Sequence, residues 1–248
     1  ARNTPNLKIY MESDAIICPT NFQKSTAPLA FRKNIKVIHD GIDTSVLKPT
    51  DKAFVELKRN DGSSVRVTKK DKIITFVNRN LEPYRGYDKF MKALPEIIKK
   101  HPDAYVLIVG GDGVSYGMDL ENNQTYKNIF YNEVKDDLPV TDRIYFLGRV
   151  DYSTLIAIFG VATAHVYFTY PFVLSWSVLE AMAMGALVIG SKTDPVEEVI
   201  KHNKNGILVD FFDTNALISA VNKVLIEPDK YEKLRQAARK TVVENYDL

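Results

Sequence analysis

A single cysteine, Cys18, leaves no internal disulfide open to the chain and points to a reducing compartment. No apolar run reaches the ~18–20 residues that a membrane-crossing helix needs, and no secretory leader pattern is visible. Charge of one sign is scarce too. Thirty-three Lys and Arg against 31 Asp and Glu leave a net +2, too little for a strong nucleic-acid or membrane field. The four histidines, His39, His101, His165 and His202, are scattered, and no pair has metal-ligand spacing. His39 alone stands out, because it lies on a connector. There is no G-x-S-x-G, no phosphate-loop lysine motif and no Cys/His cluster, which argues against a serine hydrolase, a P-loop NTPase or a zinc protein. Gly110-Gly111-Asp112-Gly113 misses the G-x-G-x-x-G spacing of a dinucleotide fingerprint and reads first as a tight turn.

What is present is the balance of a soluble globular protein: 45% apolar and 26% charged residues in a chain of 248, long enough for one large or two small domains. The opening Ala-Arg-Asn without an initiator Met reads as a fragment or a processed form. Residues 1–13 are polar and carry no periodic signal. Ala15–Pro19 reads as a short strand, with Thr20 or Asn21 capping a helix over Phe22–Phe31. Lys36–Asp43 is expected to be a strand ending in a turn at Gly41. Residues 51–72 hold two alternating runs around Asp61-Gly62, the pattern of a surface hairpin.

From Lys72 onward, strands alternate with helices. Strands are expected over Ile73–Asn78, Ala104–Gly111, Arg143–Gly148, His165–Pro171, Ala186–Gly190 and Gly206–Asp210. Helices are expected from Phe90 to Ile98 (bent at Pro95), over Tyr126–Lys135 and Tyr152–Gly160, from Val178 to Ala183, over Pro195–Lys201 and Thr214–Ile226, and from Asp229 to about Glu244. Alternation of this kind gives a parallel sheet with right-handed crossovers, a Rossmann-like α/β fold. Ligands of such sheets sit at the carboxyl ends of the strands.

Three features fall there. Arg79 and Arg85 follow the first main strand, and two guanidiniums in one loop can clamp a diphosphate through bidentate bonds, or can be solvated surface groups. Residues 172–177 precede a helix whose first amides lack partners and suit a phosphate. Glu180 lies inside that otherwise apolar helix. An unpartnered buried carboxylate is costly, so Glu180 either faces a cleft, where two oxygens can hold both ribose hydroxyls, or pairs with a local lysine or caps a loop.

These segments resemble the C-terminal half of family-4 glycosyltransferases, retaining enzymes of GT-B fold. The resemblance rests on His39–Asp43 (HDGID), Arg79 with Arg85-Gly86, Ile108–Gly113, Arg143–Val150, Leu179–Ser191, Asp194–Ile200 and Asn205–Asp210, in family order. It implies the end of an N-terminal domain plus a linker over residues 1–50, an inserted hairpin over 51–72, and a nucleotide-sugar donor domain over 73–248. It implies that Arg79 and Arg85 stabilise charge on the donor diphosphate, with arginine standing at the second position where the family usually has lysine. Glu180 is similar to the second glutamate of the E-x7-E motif, which holds the ribose. Trp176 and Ser177 fall where amides face the phosphates, Arg149 and Val150 where a loop lines the base, and Gly111 in the donor loop. Position 172, the motif's first glutamate, is Phe172, so sugar recognition departs from the pattern.

The resemblance further implies a nucleotide-diphosphate sugar donor, no metal or other cofactor, and no nucleic-acid partner. The acceptor (a saccharide, a lipid-linked glycan or a protein) would be held largely by an N-terminal domain that the chain lacks. Glycan or polysaccharide biosynthesis in the cytoplasm follows, with peripheral membrane contact where acceptors are lipids. Two rival readings are a non-catalytic nucleotide-sugar binding or scaffolding module and, more weakly, a sugar-nucleotide epimerase. The second would need acidic and histidine catalytic residues that are not found.

Overall fold

A computed structural model describes residues 4–59, 61–118, 120–122 and 124–248, with side chains of the first helix described from residue 7. The chain opens with α1 (Thr4–Glu12), where no periodic signal was expected. A two-stranded parallel sheet follows, β1 (Ile16–Cys18) on β2 (Ile35–Val37). The single helix expected over Phe22–Phe31 is two, α2 (Asn21–Thr26) and α3 (Leu29–Arg32). Pro28 is the reason: it has no N–H to donate, and the residue before it is pushed to extended backbone, as Ala27 shows at φ −71°, ψ 152°. Thr20 caps α2, accepting from the Gln23 amide. The second strand stops at Val37 rather than reaching Asp43, and Gly41 takes φ +87° in the turn beyond it.

β3 (Phe54–Lys58) and β4 (Ser64–Thr68) form the antiparallel hairpin. It is not a surface ornament. Period-two alternation places Val55, Leu57 and Val67 on one buried face, which joins the main core against α6 (Tyr152–Val161).

The remaining strands make one six-stranded parallel sheet: β5 (Ile73–Asn80), β6 (Tyr105–Gly111), β7 (Ile144–Gly148), β8 (Ala164–Tyr167), β9 (Val188–Ser191) and β10 (Ile207–Val209). The spatial order is β10-β9-β8-β5-β6-β7. The chain therefore lays β5, β6 and β7 outward and then returns to β8 on the other side of β5. The point between β5 and β8 is where strand order reverses, and it opens a crevice at their carboxyl ends.

Successive side chains on each strand feed opposite cores. Ile73, Val77, Leu107, Val109, Tyr167 and Val188 face α6, α7 (Trp176–Ala183), the hairpin and α10 (Glu232–Asn245). Ile74, Phe76, Val106, Ile108, Val166 and Ile189 face α4 (Tyr87–Lys100), α5 (Tyr126–Val134) and α9 (Thr214–Ile226). α8 (Asp194–Val199) follows β9. α4 runs through Pro95 without interruption, held by Phe90, Met91, Leu94, Ile97 and Ile98, all fully buried or nearly so. Among the described residues no helix is long and apolar enough to cross a membrane.

α10 closes the fold. Its Arg239 donates to the carbonyls of Leu47 and Ala183 (2.7 and 2.5 Å), tying the linker to the end of α7. The chain end returns to the same linker: Ile42 N–H donates to Tyr246 O (2.7 Å), and the Thr44 hydroxyl to Asp247 Oδ1 (2.6 Å).

Gly86 precedes α4 with φ +68°, and a Cβ there would collide with Phe168 Cβ. Gly86→Ala adds left-handed strain to overpacking and is expected to cost about 2–4 kcal/mol in urea denaturation. Gly62→Ala, at φ +83° with open space around it, meets only the backbone term and is expected to cost about 1 kcal/mol. Equal losses at the two positions would show that the Phe168 contact is not a constraint.

Candidate donor-nucleotide site

A cleft of about 410 Å³ lies at the reversal point of the sheet. Its floor is the carboxyl end of β5 and β6 (Val77, Asn78, Arg79, Val109, Gly110), one wall is Arg149, Val150 and Leu155, and the other is Ser175, Trp176, Ser177 and Glu180. Each segment arrives because a parallel strand delivers its following loop to the same edge.

Of the residues expected from the sequence, Arg79, Arg149, Val150, Trp176, Ser177 and Glu180 line this cleft. Arg79 is exposed, so its guanidinium is free to meet an anion. Arg149 Nη2 donates to Asn80 Oδ1 (3.4 Å). Gly111 sits beside the lining: a Cβ there would fall 2.7 Å from Asn80 Oδ1 and 2.8 Å from Arg149 Nε, so the Arg149–Asn80 contact requires glycine.

Trp176 opens α7, with Ser175 at the cap. Ser175 makes no side-chain cap bond to the helix, and its hydroxyl accepts from Ser177 Oγ at 3.0 Å. The first-turn amides of α7 therefore keep their unpaired N–H groups. The indole Nε1 of Trp176 turns back to the linker and donates to Asp40 Oδ2 (3.0 Å).

Glu180 is 8% exposed on the cleft wall. No lysine, arginine or histidine lies within ion-pair distance of it among the described residues, and it caps no loop. Burial pushes its carboxyl above the ordinary range, partly offset by the Tyr152 hydroxyl. Tyr152 is itself pushed up to about 12, by burial first and then by the Glu180 charge.

Arg85 is placed differently from Arg79. It does not line the cleft; it is 6% exposed, packed at the edge of the reversal point. Its guanidinium carbon lies 4.6 Å from the Phe172 ring centroid and 5.3 Å from that of Tyr116. Nη1 reaches Thr169 Oγ1 and Val173 O at 3.5 and 3.4 Å. No carboxylate pairs with it among the described residues. His39 is away from the cleft lining: Nδ1 accepts from the Gly41 amide (3.0 Å), and its ring meets Tyr246 edge-on at 5.2 Å.

Sequence reasoning passed over Asn78. It lines the cleft, is 7% exposed, and its Nδ2 has no partner among the described residues. The signal was an amide at the end of an otherwise apolar strand. Glu82 was also missed: it is buried, and Oε2 accepts from the Ser115 and Tyr116 amides (3.1 and 3.2 Å), pinning the 112–118 loop over the sheet edge.

The family model described as "Glycosyl transferases group 1" matches residues 58–241, and that of "Glycosyl transferase family 4 group" matches residues 1–47. The chain is 24% identical, over 96% of its length, to the GDP-mannose-dependent alpha-(1-6)-phosphatidylinositol monomannoside mannosyltransferase of Mycolicibacterium smegmatis. It is 26% identical, over 79% of its length, to the D-inositol 3-phosphate glycosyltransferase of Corynebacterium jeikeium. It spans 60% and 44% of those two proteins. Among solved structures, sucrose-phosphate synthase from Thermosynechococcus elongatus superposes with a TM-score of 0.79 at 21% identity, covering 99% of this chain and 57% of that one. Anabaena HepE in complex with UDP and glucose superposes with a TM-score of 0.77 at 19% identity, covering 99% and 62%. With the parallel sheet and the match over most of its length, the chain belongs to the group 1 glycosyltransferases, and its fold is that of the GT-B glycosyltransferases on which it superposes.

Proposed function

We propose that this chain binds a nucleotide-diphosphate sugar and serves as the donor half of a glycosyltransferase. The sugar would pass, with retention, to an acceptor held in part by a domain outside this sequence. One observation carries the reading: an exposed guanidinium, the open amides of α7 and an unpaired buried carboxylate converge on one cleft at the sheet's reversal point. Glu180 accepts from both ribose hydroxyls. The amides of Trp176 and Ser177 meet the phosphates, with Arg79 across the cleft and Arg85 behind Phe172. Arg149 and Val150 line the base. Asn78 Nδ2 supplies a further donor at the floor.

Chemically, the donor's bond to the diphosphate breaks as negative charge grows on the leaving oxygens. Fixed cationic donors aimed at that charge lower the barrier. Arg79 takes this role in the cleft, and Arg85 adds positive potential from behind Phe172, in place of a metal ion, so nucleotide binding is expected to be insensitive to EDTA. Proton removal from the acceptor falls to the departing diphosphate on the same face. Relatives supply both base candidates: one is named GDP-mannose-dependent, and one structure is titled as a complex with UDP.

A second reading, a binding module without turnover, is favoured by Phe172. An apolar ring stands where the family has a sugar-binding carboxylate, and it packs on Arg85. Sugar transfer by a full-length protein that contains this chain, lost on Glu180→Ala, separates the two.

Calorimetric titration with UDP, GDP and ADP is expected to show one nucleotide bound selectively at micromolar affinity, about −8 kcal/mol. Arg79→Ala removes a charge-assisted contact and is expected to weaken binding about 10–100-fold. Wild-type affinity in that variant would contradict the role given to Arg79.

Glu180 also makes a prediction without ligand. Its carboxyl protonates more readily in the folded than in the unfolded chain, so the charged form costs stability above its raised pKa. Glu180→Gln is expected to raise Tm at pH 7.5. The gap closes as pH falls through that raised pKa, and the same variant binds nucleotide more weakly. A lower Tm for Glu180→Gln at pH 7.5 would mean that the carboxylate is a structural group.

A further inference from the structure

Beyond the cleft, the carboxyl edge of the sheet carries a continuous row of aromatic rings that the donor site does not use. Tyr116 contacts Phe172 at a centroid distance of 4.7 Å, Phe172 contacts Tyr84 at 6.1 Å, and Tyr84 contacts Tyr170 at 5.8 Å. Tyr170 then meets Phe211 at 6.1 Å, and Phe211 meets Phe212 at 5.1 Å. Four separate loops build the row: those after β5, β6, β8 and β10. Four of its rings are left open to solvent, Tyr84 at 43%, Tyr116 at 46%, Tyr170 at 45% and Phe212 at 70%. Exposed large rings gathered in one place mark a binding surface, and rings are costly to leave in water singly, let alone in line.

The chemistry of the row selects its occupant. Three of the four open rings are tyrosines, with an apolar face for stacking and a hydroxyl at the rim. Asp210 and Asp213 flank the Phe211-Phe212 end. Each uses Oδ1 for a local backbone amide, Phe212 N and Ala216 N, and keeps Oδ2 to accept hydroxyls. Carboxylates beside the rings oppose an anionic membrane surface, and Lys89, whose Nζ lies 5.6 Å from the Phe212 centroid, is itself paired with Asp88 Oδ2 at 2.8 Å. At the other end, Phe172 and Tyr116 lie on Arg85, so the row is continuous with the edge of the donor site. A ladder of amphipathic rings with carboxylates alongside matches a saccharide chain, whose sugar rings have apolar C–H faces and hydroxyl rims.

We propose that Tyr116, Phe172, Tyr84, Tyr170 and Phe212 form a saccharide-binding strip that seats several units of a glycan leading to the donor cleft. That the glycan is the acceptor rests on the glycosyltransferase reading above; the strip itself does not.

The test is binding of soluble hexasaccharides to this chain without nucleotide. The probes are α-linked gluco-, β-linked gluco- and α-linked manno-hexaose, beside glucose and mannose, read by calorimetry and saturation-transfer NMR. At least one hexasaccharide is expected to bind about tenfold or more tightly than its monosaccharide. Tyr84→Ala and Tyr170→Ala are each expected to weaken it about tenfold, whereas Tyr84→Phe and Tyr170→Phe keep most of it. Nucleotide affinity stays unchanged in all four variants, which also verifies their folding. Absence of binding by every hexasaccharide overturns the strip, as does binding indifferent to both alanine variants. Binding to phosphatidylglycerol vesicles that is lost in the same variants overturns it in favour of a membrane contact. Nucleotide titration of the wild type separates the two ideas: nucleotide bound without hexasaccharide removes the strip alone, and hexasaccharide bound without nucleotide removes the donor site alone.

Discussion

A buried guanidinium with no carboxylate beside it is the constraint on which the carboxyl edge of the sheet depends. Arg85 is 6% exposed, and a cation so placed is costly unless something answers its charge. The chain answers it with π faces, a hydroxyl and a carbonyl oxygen rather than with an anion: Phe172 and Tyr116 lie over the guanidinium, and Thr169 Oγ1 and Val173 O accept from its Nη1 at long hydrogen-bond distances. These are weak neutralisers, worth about 1–2 kcal/mol each at best. The residual positive potential stays available to an anion at the switch point. It also explains why loops from β5, β6 and β8 converge here, since each contributes one of the groups around Arg85. Phe172 is then a substitution with a structural partner. An arginine presents a planar face to a ring, which the lysine usual in the family cannot.

The same edge shows how a sheet that is apolar on both faces can carry a polar site. Side chains within β5 and β6 are consumed by the two cores, so polar groups reach the edge only where the strands end. Asn78, Arg79 and Asn80 occupy the last turns of β5, and Gly110 and Gly111 those of β6. The missing side chain at Gly111 is what lets Asn80 and Arg149 approach each other. Glu82 then fixes the 112–118 loop, and with it Tyr116, by accepting two consecutive amides. Arg149, Asn80, Ser115 and Glu82 thus form one framework from the base side of the cleft to the aromatic row.

Much of the architecture was legible because strand and helix periods differ and the chain obeys both. The Thr214–Ile226 helix and the strands from Ile73 onward have the bounds that periodicity gives, to within a few residues. What the sequence concealed has physical causes. Pro28 splits a helix whose apolar pattern runs on across it. α1 has no apolar stripe to announce it. The hairpin's buried face could not be told from a solvent-backed one, because alternation shows that one side is apolar but not what covers it. At the site, Glu180 was legible as a carboxylate in an apolar helix. Asn78 and Glu82 were not, since a polar residue at a strand end is ordinary until its neighbours are placed. Arg85, six positions from Arg79, shares its loop but does not line the cleft. The short 3-10 turn over Pro83–Arg85 directs it under Phe172 instead.

The N-terminal segment is tied to the same edge. Residues 1–47 match the model of the glycosyl transferase family 4 group, and their attachment to the rest of the chain is specific. Glu198 on α8 accepts from the Asn21 and Phe22 amides (2.8 and 2.5 Å) and from Asn21 Nδ2 (3.1 Å), so a carboxylate sits at the amino end of α2 where the helix dipole favours it. A second tie, Asp40 to the Trp176 indole, connects the linker to the first residue of α7, whose amides face the cleft. A third, Arg239, binds Leu47 to the other end of the same helix. Both ends of α7 are therefore fastened to the segment from Asp40 to Leu47. A ligand that engages the α7 amides therefore acts on a helix whose two ends are held by residues 40–47, through one rigid element rather than through a loop.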